Sequence, residues 1–504
     1  MSFSANLSEL VASSDDPLLA AAKDWDRIDL KKVATILNGY PWRSDSFNDR
    51  VGAPVIRIRD VTSGQTKTFY DGLIASGYWI ENGDLIVGMD GDFNCRIWNG
   101  GRALLNQRVC KITPDERQMV KSFLCYMLPG YLKAINDATH SITVKHLSSK
   151  TLGDIPLPSP PLSEQHRIVT KLDSLTGRTA RARDELGRLP RLIQKYRAAI
   201  LLAAFNGQLT RDWRSHNLPK DAQSYLVERQ RLHDQRKVLG NLGRDEKSAM
   251  ICPDEDLLLE IRLQEASTPL PSTWSWAALG QVFGVYIGAT PSRKEARFWG
   301  GNVNWVSSGE VAFCRIKDTA ETITHEGLAN SSTRIHPPGT VLLGMIGEGK
   351  TRGQAAVLDV PACNNQNCAA IRVGEAAYTP EYLYWYLYFS YEETRNAGAG
   401  NNQPALNKDR VQKILFPLAP PAEAGVIAAR IGEAFAWLDR LAAEHANASR
   451  LLPKLDQAIL AKAFRGELVP QDPNDKPVEL RGQADGEGSR DRPIRQSGRG
   501  SSVS

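Results

Sequence analysis

The sequence contains two copies of one segment, and this internal repeat constrains the fold more than any other feature. Residues 164–209 align without a gap on residues 423–468, at an offset of 259 positions. A gapless match of this density is typical of a duplication and not of chance. Identical pairs include Glu164/Glu423, Ile168/Ile427, Arg181/Arg440, Glu185/Glu444, Arg191/Arg450, Leu192/Leu451, Lys195/Lys454, Ile200/Ile459, Phe205/Phe464, Gly207/Gly466 and Leu209/Leu468.

Each copy predicts a long helix. Prolines at 156–161 and 417–421 end the preceding element and favour a helix start. Apolar residues then recur at alternating steps of four and three, which is the seam of a coiled coil. Helices of about 44 residues rise about 66 Å, so two that pack on each other would hold attached domains well apart. The seams are Ile168, Leu172, Leu175, Thr179, Ala182, Leu186, Leu189, Ile193, Tyr196 and Ile200 in the first copy, and Ile427, Ile431, Ala434, Leu438, Leu441, His445, Ala448, Leu452, Leu455 and Ile459 in the second.

Two prolines complicate this picture of straight helices. Pro190 and Pro453 fall inside the seams at positions that do not match. A break or kink is expected near each, because proline removes a helical hydrogen bond and clashes with the preceding turn. Heptads alone are typical of any coiled coil, so the function has to be sought in the flanking regions.

The regions before the two helices are also related. Trp25, Leu30, Val33 and Gly39 correspond to Trp274, Leu279, Val282 and Gly288 at an offset of 249, and Asn106-Gln107 corresponds to Asn365-Gln366 at 259. The segment GDLIVGM at 83–89 corresponds to GTVLLGM at 339–345. Short β-rich runs lie between these landmarks, at 55–58, 85–87, 303–306 and 341–343. Each region, called a head below, is therefore predicted to be a small, mostly β, α+β domain.

The predicted domain boundaries follow from these patterns. They are an N-terminal segment at 1–23, a first head at 24–155, a first helical repeat at 156–210, a helical linker at 211–272 with its charged helix within 219–247, a second head at 273–414, a second helical repeat at 415–469, and a disordered Gly-, Ser-, Asp- and Arg-rich tail at 470–504.

Composition excludes some classes of protein but does not identify a single one. A chain of 504 residues is too long for a single core, so two or more domains are expected. A formal net charge of +5 permits a nucleic-acid partner but does not establish one. The seven cysteines are scattered, without the spacing of a disulfide framework or a zinc site. Since no signal peptide or membrane-length apolar run is present, we expect a soluble, cytoplasmic protein without a membrane partner.

One motif formally matches a phosphate-binding loop. Residues 344–351 read Gly-Met-Ile-Gly-Glu-Gly-Lys-Thr after a strand-like run, which fits GxxxxGK[ST]. That motif needs a helix directly after it to point its N-terminus at the phosphates. Here the sequence continues Arg352-Gly353-Gln354 into an apolar run, which predicts a strand, a turn and a second strand. The loop is then a glycine-rich hairpin tip, or a loop whose Lys350, Arg352 and Gln354 face DNA.

Other catalytic signatures are missing from the sequence. The histidines show no HExxH or other metal-ligand spacing, and no GxSxG elbow or recognisable nucleophilic cysteine occurs. The Asn/Asp-Pro-Pro-aromatic motif of amino-methyltransferases is absent too, because the Pro-Pro pairs stand in SPPL, HPPG and APPA. The chain is therefore predicted to be non-catalytic.

The heads do carry the residue types that read nucleic acid. Asn and Gln bond adenine, Arg bonds guanine, and Lys holds phosphates, although each such residue could equally be an ordinary surface or turn residue. The aromatic run 382–391 has the spacing of a buried helix and is assigned to the core. Candidate DNA-binding residues are Arg43, Ser44, Arg57, Arg59, Asn94, Asn106, Gln107, Arg108, Lys145 and His146 in the first head, and Ser292, Arg293, Lys294, Lys350, Arg352, Gln354, Asn365, Gln366, Asn401, Asn402, Gln403, Asn407 and Lys408 in the second.

The order of these elements resembles one family closely. A head, PLPSPPLSEQHRI, a long helix and AFNGQL are followed by a second head, LFPLAPPAEAGVI, a second long helix and AKAFRGELVP. From about Trp25 to Pro470 this is similar to the specificity subunits of type I restriction–modification systems, which serve host defence. The second copy departs from the pattern, with Glu423-Ala424 where the first has Glu164-Gln165.

The resemblance implies both a fold and a function. The fold is α+β, with two mostly-β target-recognition domains, each followed by a long helix, and the two helices pack as an antiparallel coiled coil with pseudo-two-fold symmetry. Each head reads one half of a bipartite site in double-stranded DNA, while the helices set the spacer and dock two methyltransferase (modification) subunits that methylate adenine with S-adenosylmethionine. Two restriction subunits would add ATP-driven translocation and Mg²⁺-dependent cleavage. The chain itself would bind no cofactor or metal.

The physical argument from the duplication agrees with this implication. Symmetric readers contact half-sites about 34 Å apart or a multiple of that distance. Because the two heads differ in sequence, we expect the two half-sites to differ and the target to be asymmetric. A change at Arg352 or Gln354 should affect one half-site only, whereas lengthening both helices by a turn should change the spacer.

Other function classes remain open at this point. A phosphate-loop nucleotide-binding protein would lose ATP binding on Lys350→Ala. A coiled-coil scaffold that does not bind DNA would show no salt-sensitive DNA affinity. A single-chain restriction–methyltransferase is largely excluded by the missing catalytic motifs.

Overall fold

The chain folds into two compact units. The computed structural model describes residues 6–139, 145–217, 219–240, 243, 246–347, 350–396 and 406–478. The first unit comprises Met1–Leu186 and Asn447–Ser504, and the second comprises Gly187–Ala446. Each unit therefore contains one head together with a part of each long helix.

The first head is built from short strands and helices. Its strands are β1 (Arg27–Asp29), β2 (Ala34–Asn38), β3 (Phe47–Asn48), β4 (Ala53–Ile56), β5 (Phe69–Tyr70), β6 (Trp79–Ile80), β7 (Leu85–Gly88), β8 (Cys95–Ile97), β9 (Ala103–Leu105), β10 (Val109–Pro114) and β11 (Pro156–Pro158). Its helices are α1 (Leu7–Ala12), α2 (Leu30–Val33), α3 (Ile58–Ser63), α4 (Lys121–Ala138) and α5 (Ser149–Gly153).

Three sheets organise this head. They have the orders β1-β11, β2-β10-β7-β8 and β3-β5-β4-β9-β6. Strand β7 is buried on both faces, as its uninterrupted apolar sequence predicts. Leu85 and Val87 pack with Phe123 of α4 in one core cluster, while Ile86 points the other way and packs with Trp98 in a second.

The second head repeats this plan. Its strands are β12 (Ser275–Ala278), β13 (Gly284–Ile287), β14 (Trp299–Val306), β15 (Cys314–Ile316), β16 (Glu321–Ile323), β17 (Thr340–Gly344), β18 (Ala355–Leu358), β19 (Cys363–Asn364), β20 (Cys368–Arg372) and β21 (Leu415–Leu418). Its helices, with those that precede them in the same unit, are α7 (Arg211–His216), α8 (Ala222–Val238), α9 (Glu255–Ser267), α10 (Leu279–Val282), α11 (His325–Ala329), α12 (Pro380–Phe389), α13 (Tyr391–Asn396) and α14 (Lys408–Gln412).

The sheets of the second head correspond to those of the first but differ from them in strand number. Their orders are β12-β21, β13-β20-β17-β18-β15 and β16-β14-β19. The parallel pair β14 and β19 corresponds to the parallel pair β4 and β9. Strand β17 is again buried on both faces, with Val341 and Leu343 in one cluster and Leu342 in another. The predicted α+β class and the two β-rich heads are confirmed.

The two long helices are α6 (Leu162–Phe205) and α15 (Pro421–Phe464). In the second unit they run antiparallel, because Arg197 pairs with Asp439 while Arg430 of α15 bonds Asp212, which lies beyond the end of α6. In the first unit they are antiparallel too, with an Arg183–Asp456 ion pair at 2.6 Å and apolar packing of Leu172 near Ile459 and Phe464.

Neither helix is interrupted at its proline. Both α6 and α15 continue as α-helix through Pro190 and Pro453, so a break does not occur. The other expected outcome, a kink near each proline, stays a prediction. A proline removes one N–H from the hydrogen-bond ladder, and here the helix continues on both sides of it.

The seams are buried only in part. Ile168, Leu172, Ile427, Ile431 and Leu438 are buried as predicted. Ala182, Tyr196 and Leu455, the counterpart of Tyr196, are instead exposed, and the prediction for these three positions is wrong. The next residue turns inward in each case, since Arg197 lies over the Phe435 ring and Asp456 accepts from Arg183.

Three further predicted boundaries differ from the structure. The run 55–58 is not all strand, because β4 ends at Ile56 and α3 begins at Ile58. The linker is not a separate segment, since Leu226 of α8 and Leu257 of α9 pack into cores of the second unit. Within the predicted tail, Asp475 accepts from Arg167 of α6 at 2.6 Å, and residues 479–504 lie outside the described residues.

Within the described part of the chain, no helix combines the length and the apolar character needed to cross a membrane.

Candidate nucleic-acid interface

In the first head, backbone hydrogen bonds of Met89 join three chain segments at one edge of the sheet. Met89 follows β7, and its backbone N–H donates to the carbonyl of Arg108 at 2.9 Å. Its own carbonyl accepts from the N–H of Leu147 at 2.7 Å. The loop 88–94, the turn 106–108 and the segment 145–147 therefore meet here. We call this group the first edge.

The second head repeats this arrangement around Met345. The N–H of Met345 donates to the carbonyl of Asn367 at 2.8 Å, and its carbonyl accepts from the N–H of Leu406 at 3.1 Å. Asn367 and Leu406 stand 259 positions after Arg108 and Leu147. We call residues 345–347 and 350–354 of the loop, the turn 365–367 and the segment 406–408 the second edge.

A glycine permits the backbone to come close at each edge. A Cβ on Gly39 would lie 2.0 Å from the carbonyl oxygen of Asn106, and one on Gly288 would lie 1.9 Å from that of Asn364. Neither position tolerates a side chain, which explains why the GY and GA pairs at 39–40 and 288–289 begin with glycine.

The side chains of the first edge form a charged cluster. Asp90 accepts from Arg108 at 2.7 Å and lies 2.7 Å from Nδ1 of His146. Lys145 is bound to Oδ1 of Asn136 at 2.8 Å and is therefore tied to α4. Asn94 and Gln107 are exposed at the same edge. Their amides offer both donors and acceptors, as base recognition requires.

The second edge carries a different set of side chains. The exposed Lys350 belongs to a loop that is held by a bond from Tyr391 Oη to the Lys350 carbonyl, at 2.7 Å. Arg352 and Gln354 follow on this loop and are half-buried. Gln366 accepts from the Thr290 hydroxyl at 2.5 Å. The two edges share the backbone bonds of Met89 and Met345 but differ in their side chains.

Several predicted residues have a structural role. Asn106 and Asn365 are 9% and 7% exposed, and they brace their turns through backbone bonds. Asn407 caps α14 by accepting from the N–H of Arg410, and Lys408 donates to Ser248 at 2.9 Å. These positions are less suited to base contact than their exposed neighbours.

Other predicted residues lie on segments that are not part of the two edges. Arg43, Ser44, Arg57 and Arg59 surround the 3-10 turn Ser44–Ser46 and α3, where Arg59 donates to Thr68 at 3.1 Å.

In the second head, the candidates that are not part of the second edge are Ser292, Arg293 and Lys294. The guanidinium of Arg293 lies 3.8 Å from the Trp299 ring centroid and pairs with Glu321, while the Ser292 carbonyl accepts from Trp299 Nε1. Asn401, Asn402 and Gln403 lie outside the described residues.

The aromatic run 382–391 belongs largely to the core, as predicted. Tyr382 and Tyr386 are buried, and their hydroxyls donate to the carbonyls of Pro417 and Leu415, both at 2.6 Å. Burial raises the pKa of both phenols well above the usual range. These rings are therefore not available for stacking on bases.

One exposed aromatic residue at the first edge was missed by the sequence reasoning. Tyr40 is about one-third exposed, and its carbonyl accepts from the N–H of Gln107 at 3.0 Å. Its ring lies 4.6 Å from the Trp42 ring and 5.0 Å from the Tyr78 ring. The available signal was its position directly after Gly39, but the second head has Ala289 there.

The glycine-rich loop has the geometry of a hairpin. Strands β17 and β18 are antiparallel. The N–H of Gly344 donates to the carbonyl of Gln354, and the N–H of Gly353 donates to the carbonyl of Gly344, both at 2.8 Å. The element that follows Thr351 is the strand β18, as predicted, and not the helix that a phosphate-binding loop requires.

Comparison with known proteins places these features in a family. The model of the type I restriction modification DNA specificity domain matches the chain twice, at residues 22–186 and 271–443. Each match contains one head and the beginning of its long helix.

Full-length relatives give the same result. The chain is 33% identical over 483 residues to the type I restriction enzyme EcoBI specificity subunit of Escherichia coli, which covers 94% of this chain and 92% of that protein. It is 23% identical over 390 residues to the EcoDI specificity subunit of Escherichia coli, covering 77% and 78%.

Two solved structures share the fold. The HsdS subunit from Thermoanaerobacter tengcongensis superposes with a TM-score of 0.52 at 18% identity, covering 90% of this chain and 96% of that one. A chain from a structural study of complex assembly and conformational transition of the type I R-M system also gives 0.52 at 18% identity, covering 89% and 99%.

Proposed function

Because this chain belongs to the type I restriction modification DNA specificity family, we propose that each of its heads reads one half of a bipartite, asymmetric DNA site. The chain is the DNA specificity subunit of a type I restriction–modification complex, with two target-recognition domains, and it is a non-catalytic component of that enzyme. The observation that carries the proposal is the pair of matched edges, whose backbones correspond while their side chains differ.

Residues at the two edges are proposed to make the DNA contacts. In the first head these are Asn94, Gln107, Arg108 and His146, with Tyr40 beside them. In the second head they are Lys350, Arg352, Gln354 and Gln366. Amide and guanidinium groups read base edges, whereas Lys350 is suited to a phosphate.

The remaining candidate residues are proposed as supporting contacts. Arg43, Ser44, Arg57 and Arg59 in the first head, and Arg293 and Lys294 in the second, offer donors on exposed surface outside the edges. Phosphate contacts of this kind position a protein on DNA without selecting a sequence.

The long helices are proposed to set the spacer and to dock two modification subunits, which would use S-adenosylmethionine to methylate adenine. Each helix carries a pair of exposed apolar residues, which supports this proposal. The pairs are Leu192 with Tyr196 on α6 and Leu451 with Leu455 on α15, and the second pair follows the first by 259 positions. Apolar side chains one turn apart are typical of a helix that contacts another protein. Restriction subunits, where they join, would bring ATP and Mg²⁺.

The alternative functions have less support. The hairpin at Lys350 lacks the helix that nucleotide binding needs. A scaffold that does not bind DNA would leave the matched, side-chain-rich edges without a role.

Selection from a randomised pool of duplexes tests the proposal. The purified chain, in complex with its modification subunit, should enrich one motif of two unlike halves separated by unspecified bases. Its affinity should fall steeply as salt rises, because phosphate contacts release counterions. Enrichment of a single continuous motif, or of none, would contradict the proposal.

A further inference from the structure

An apolar groove of about 440 Å³ opens on the second unit. Its walls include Leu202 and Phe205 from α6, Trp276 from β12, and Tyr386 and Phe389 from α12. Leu202 is 56% exposed and Phe389 is 38% exposed. Large apolar side chains left open in a concave surface mark a binding site more often than an ordinary surface.

The first unit contains the corresponding place, and matched contacts identify it. The Arg27 guanidinium donates to the carbonyl of Leu19 at 2.5 Å, and the Trp276 indole donates to the carbonyl of Thr268 at 3.1 Å. Trp276 follows Arg27 by 249 positions, and Thr268 follows Leu19 by the same number.

A matched aromatic contact confirms the correspondence. Phe464 packs against Phe123 with ring centroids 6.3 Å apart, and Phe205 packs against Tyr382 at 5.8 Å. Phe464 and Tyr382 follow Phe205 and Phe123 by 259 positions.

In the first unit this place is filled by the chain itself. Leu19 is 1% exposed and lies in the same core cluster as Phe123 and Phe464. Leu18 packs so closely on α4 that a Cβ added to Gly130 would lie 2.9 Å from the Leu18 Cβ. Two leucines therefore occupy the position that is a groove in the second unit.

The second unit lacks those leucines. The counterparts of Leu18 and Leu19 are Ser267 and Thr268, which are both exposed. Phe389, the counterpart of Gly130, stacks on Phe205 with ring centroids 5.4 Å apart but does not close the groove. The groove keeps an apolar wall while the side chains that would cover it are absent.

One charge lies at the polar end of the groove. Glu393 of α13 lines the groove and its side chain is exposed. A carboxylate beside an apolar wall repels DNA and favours a basic side chain on the occupant.

We propose that this groove receives a leucine-bearing segment of a modification subunit, with a neighbouring Lys or Arg that pairs with Glu393. The inference rests on the proposed function, because it takes a modification subunit as the partner. It adds an asymmetry, since the first unit already fills its own groove. One of the two docking sites on the chain therefore has a contact that the other lacks.

The test fills the groove with the side chains that the first unit uses. Ser267→Leu combined with Thr268→Leu is compared with the unchanged chain in titrations with the purified modification subunit, followed by native mass spectrometry. We expect one of the two binding steps to weaken about tenfold and the other to stay unchanged. Glu393→Lys should weaken the same step, and Glu392→Lys, on the same helix but outside the groove, is its matched control.

The outcomes separate this inference from the function on which it rests. If both variants bind two modification subunits as tightly as the unchanged chain, the groove is not a docking site and the inference is overturned, while the proposed function stands. If the unchanged chain binds no modification subunit, both are overturned together. Glu393→Lys alters only an exposed side chain, so it decides the question even if the double leucine variant folds poorly.

Discussion

At the scale of single residues, a tryptophan and a glutamate join each head to the helix that follows it. Trp25 Nε1 donates to Glu164 at 3.2 Å, and Trp274 Nε1 donates to Glu423 at 2.9 Å. Both carboxylates are buried in the first turn of their helix. Only Glu423 also receives the Arg214 guanidinium and the Thr210 hydroxyl. The same residue type therefore has different electrostatic surroundings in the two units.

This difference predicts opposite effects of one substitution. Burial raises the pKa of Glu164 above its usual value. The stability that the protonated carboxyl gives the folded state below the unfolded pKa of about 4.3 is therefore lost as the pH rises through the raised folded pKa. Glu164→Gln removes that cost and still accepts from Trp25, so the free energy of unfolding at pH 7 should stay level or rise. Glu423→Gln breaks a buried ion pair and should cost about 3 kcal/mol.

Chemical denaturation at pH 7 and pH 4, with hydrogen exchange to assign the change to one unit, measures both variants. An equal loss of stability in the two would contradict the proposed difference in surroundings.

A buried histidine makes the second head sensitive to acid. His336 is fully buried and accepts at Nδ1 from Arg372 Nε, 3.2 Å away. Burial, together with the positive charges of Arg372 and Arg334, lowers its pKa to about 3. A proton on Nδ1 would point at the N–H of Arg372, which is itself a donor. The nearby Tyr286 ring and Asn364 side chain supply no compensating negative charge.

The sign of the pH effect follows from this shift. The unfolded state takes up the proton near pH 6.5 and the folded state does not, so stability is lost as the pH falls below 6.5. At pH 4.5 the loss should be about 2–3 kcal/mol. His336→Gln should abolish the dependence.

The first head supplies an internal control. Ile80 takes the corresponding place, since it pairs with Ala103 as His336 pairs with Ala362. Hydrogen exchange of β17 and β20 against β7 and β10 between pH 7 and pH 4.5 is the measurement. Equal loss of protection in both heads would refute the assignment to His336.

Base reading at the edges predicts effects confined to one half-site. Arg352→Ala should weaken binding to DNA by about 1–3 kcal/mol when the half-site read by the second head is correct. Asn94→Ala should weaken binding through the half-site read by the first head. Competition binding to duplexes in which each half is varied separately measures both. A uniform loss over all sequences would instead make Arg352 a phosphate contact.

At the scale of elements, the long helices were the most predictable part of the chain. Their apolar seams and proline-rich starts indicate α6 and α15 within a few residues of the observed bounds. The missed details, at Tyr196 and Leu455, arise where an inward-facing Arg197 or Asp456 finds an ion pair. Such pairs depend on the partner helix, so a heptad pattern read from one helix cannot reveal them.

The helices also predict how the target spacing changes with their length. Seven residues inserted after Gly187 in α6 and after Ala446 in α15 keep the heptad seam and add about 10 Å of rise. At about 3.4 Å per base pair the spacer between half-sites should grow by about three base pairs, with both half-sites unchanged. Sequencing of bound duplexes measures it, and insertion in α6 alone is the control, which should disturb assembly.

The sheets were predictable in outline, and the edges less so. Runs such as GDLIVGM and GTVLLGM indicate buried central strands because they are apolar on both faces. Which side chains gather at an edge depends on backbone bonds such as Met89 to Arg108 and Leu147, which join segments distant in sequence. Sequence reasoning therefore selected Asn94, Asn106 and Arg108 alike, and could not predict that Asn106 is buried while the other two are exposed.

At the scale of the whole molecule, the duplication explains why the two units share a fold. The divergence in sequence between the two copies explains where they differ. The correspondence of α1 with α9 and of Leu19 with Thr268 was not visible in the sequence, because few identities remain there and one copy is polar. Matched hydrogen bonds from Arg27 and Trp276 reveal it. The two units share a fold but differ in surface, which agrees with the proposal that they read unlike half-sites.

The central claim, that one chain carries two independent readers of unlike half-sites, is tested most directly by genome-wide adenine-methylation mapping in a host that expresses this chain with its modification subunit. The account predicts methylation confined to one gapped motif with two different halves, and predicts that Arg352→Ala relaxes one half while leaving the other intact. A continuous motif, two identical halves, or relaxation of both halves by that single substitution would contradict it.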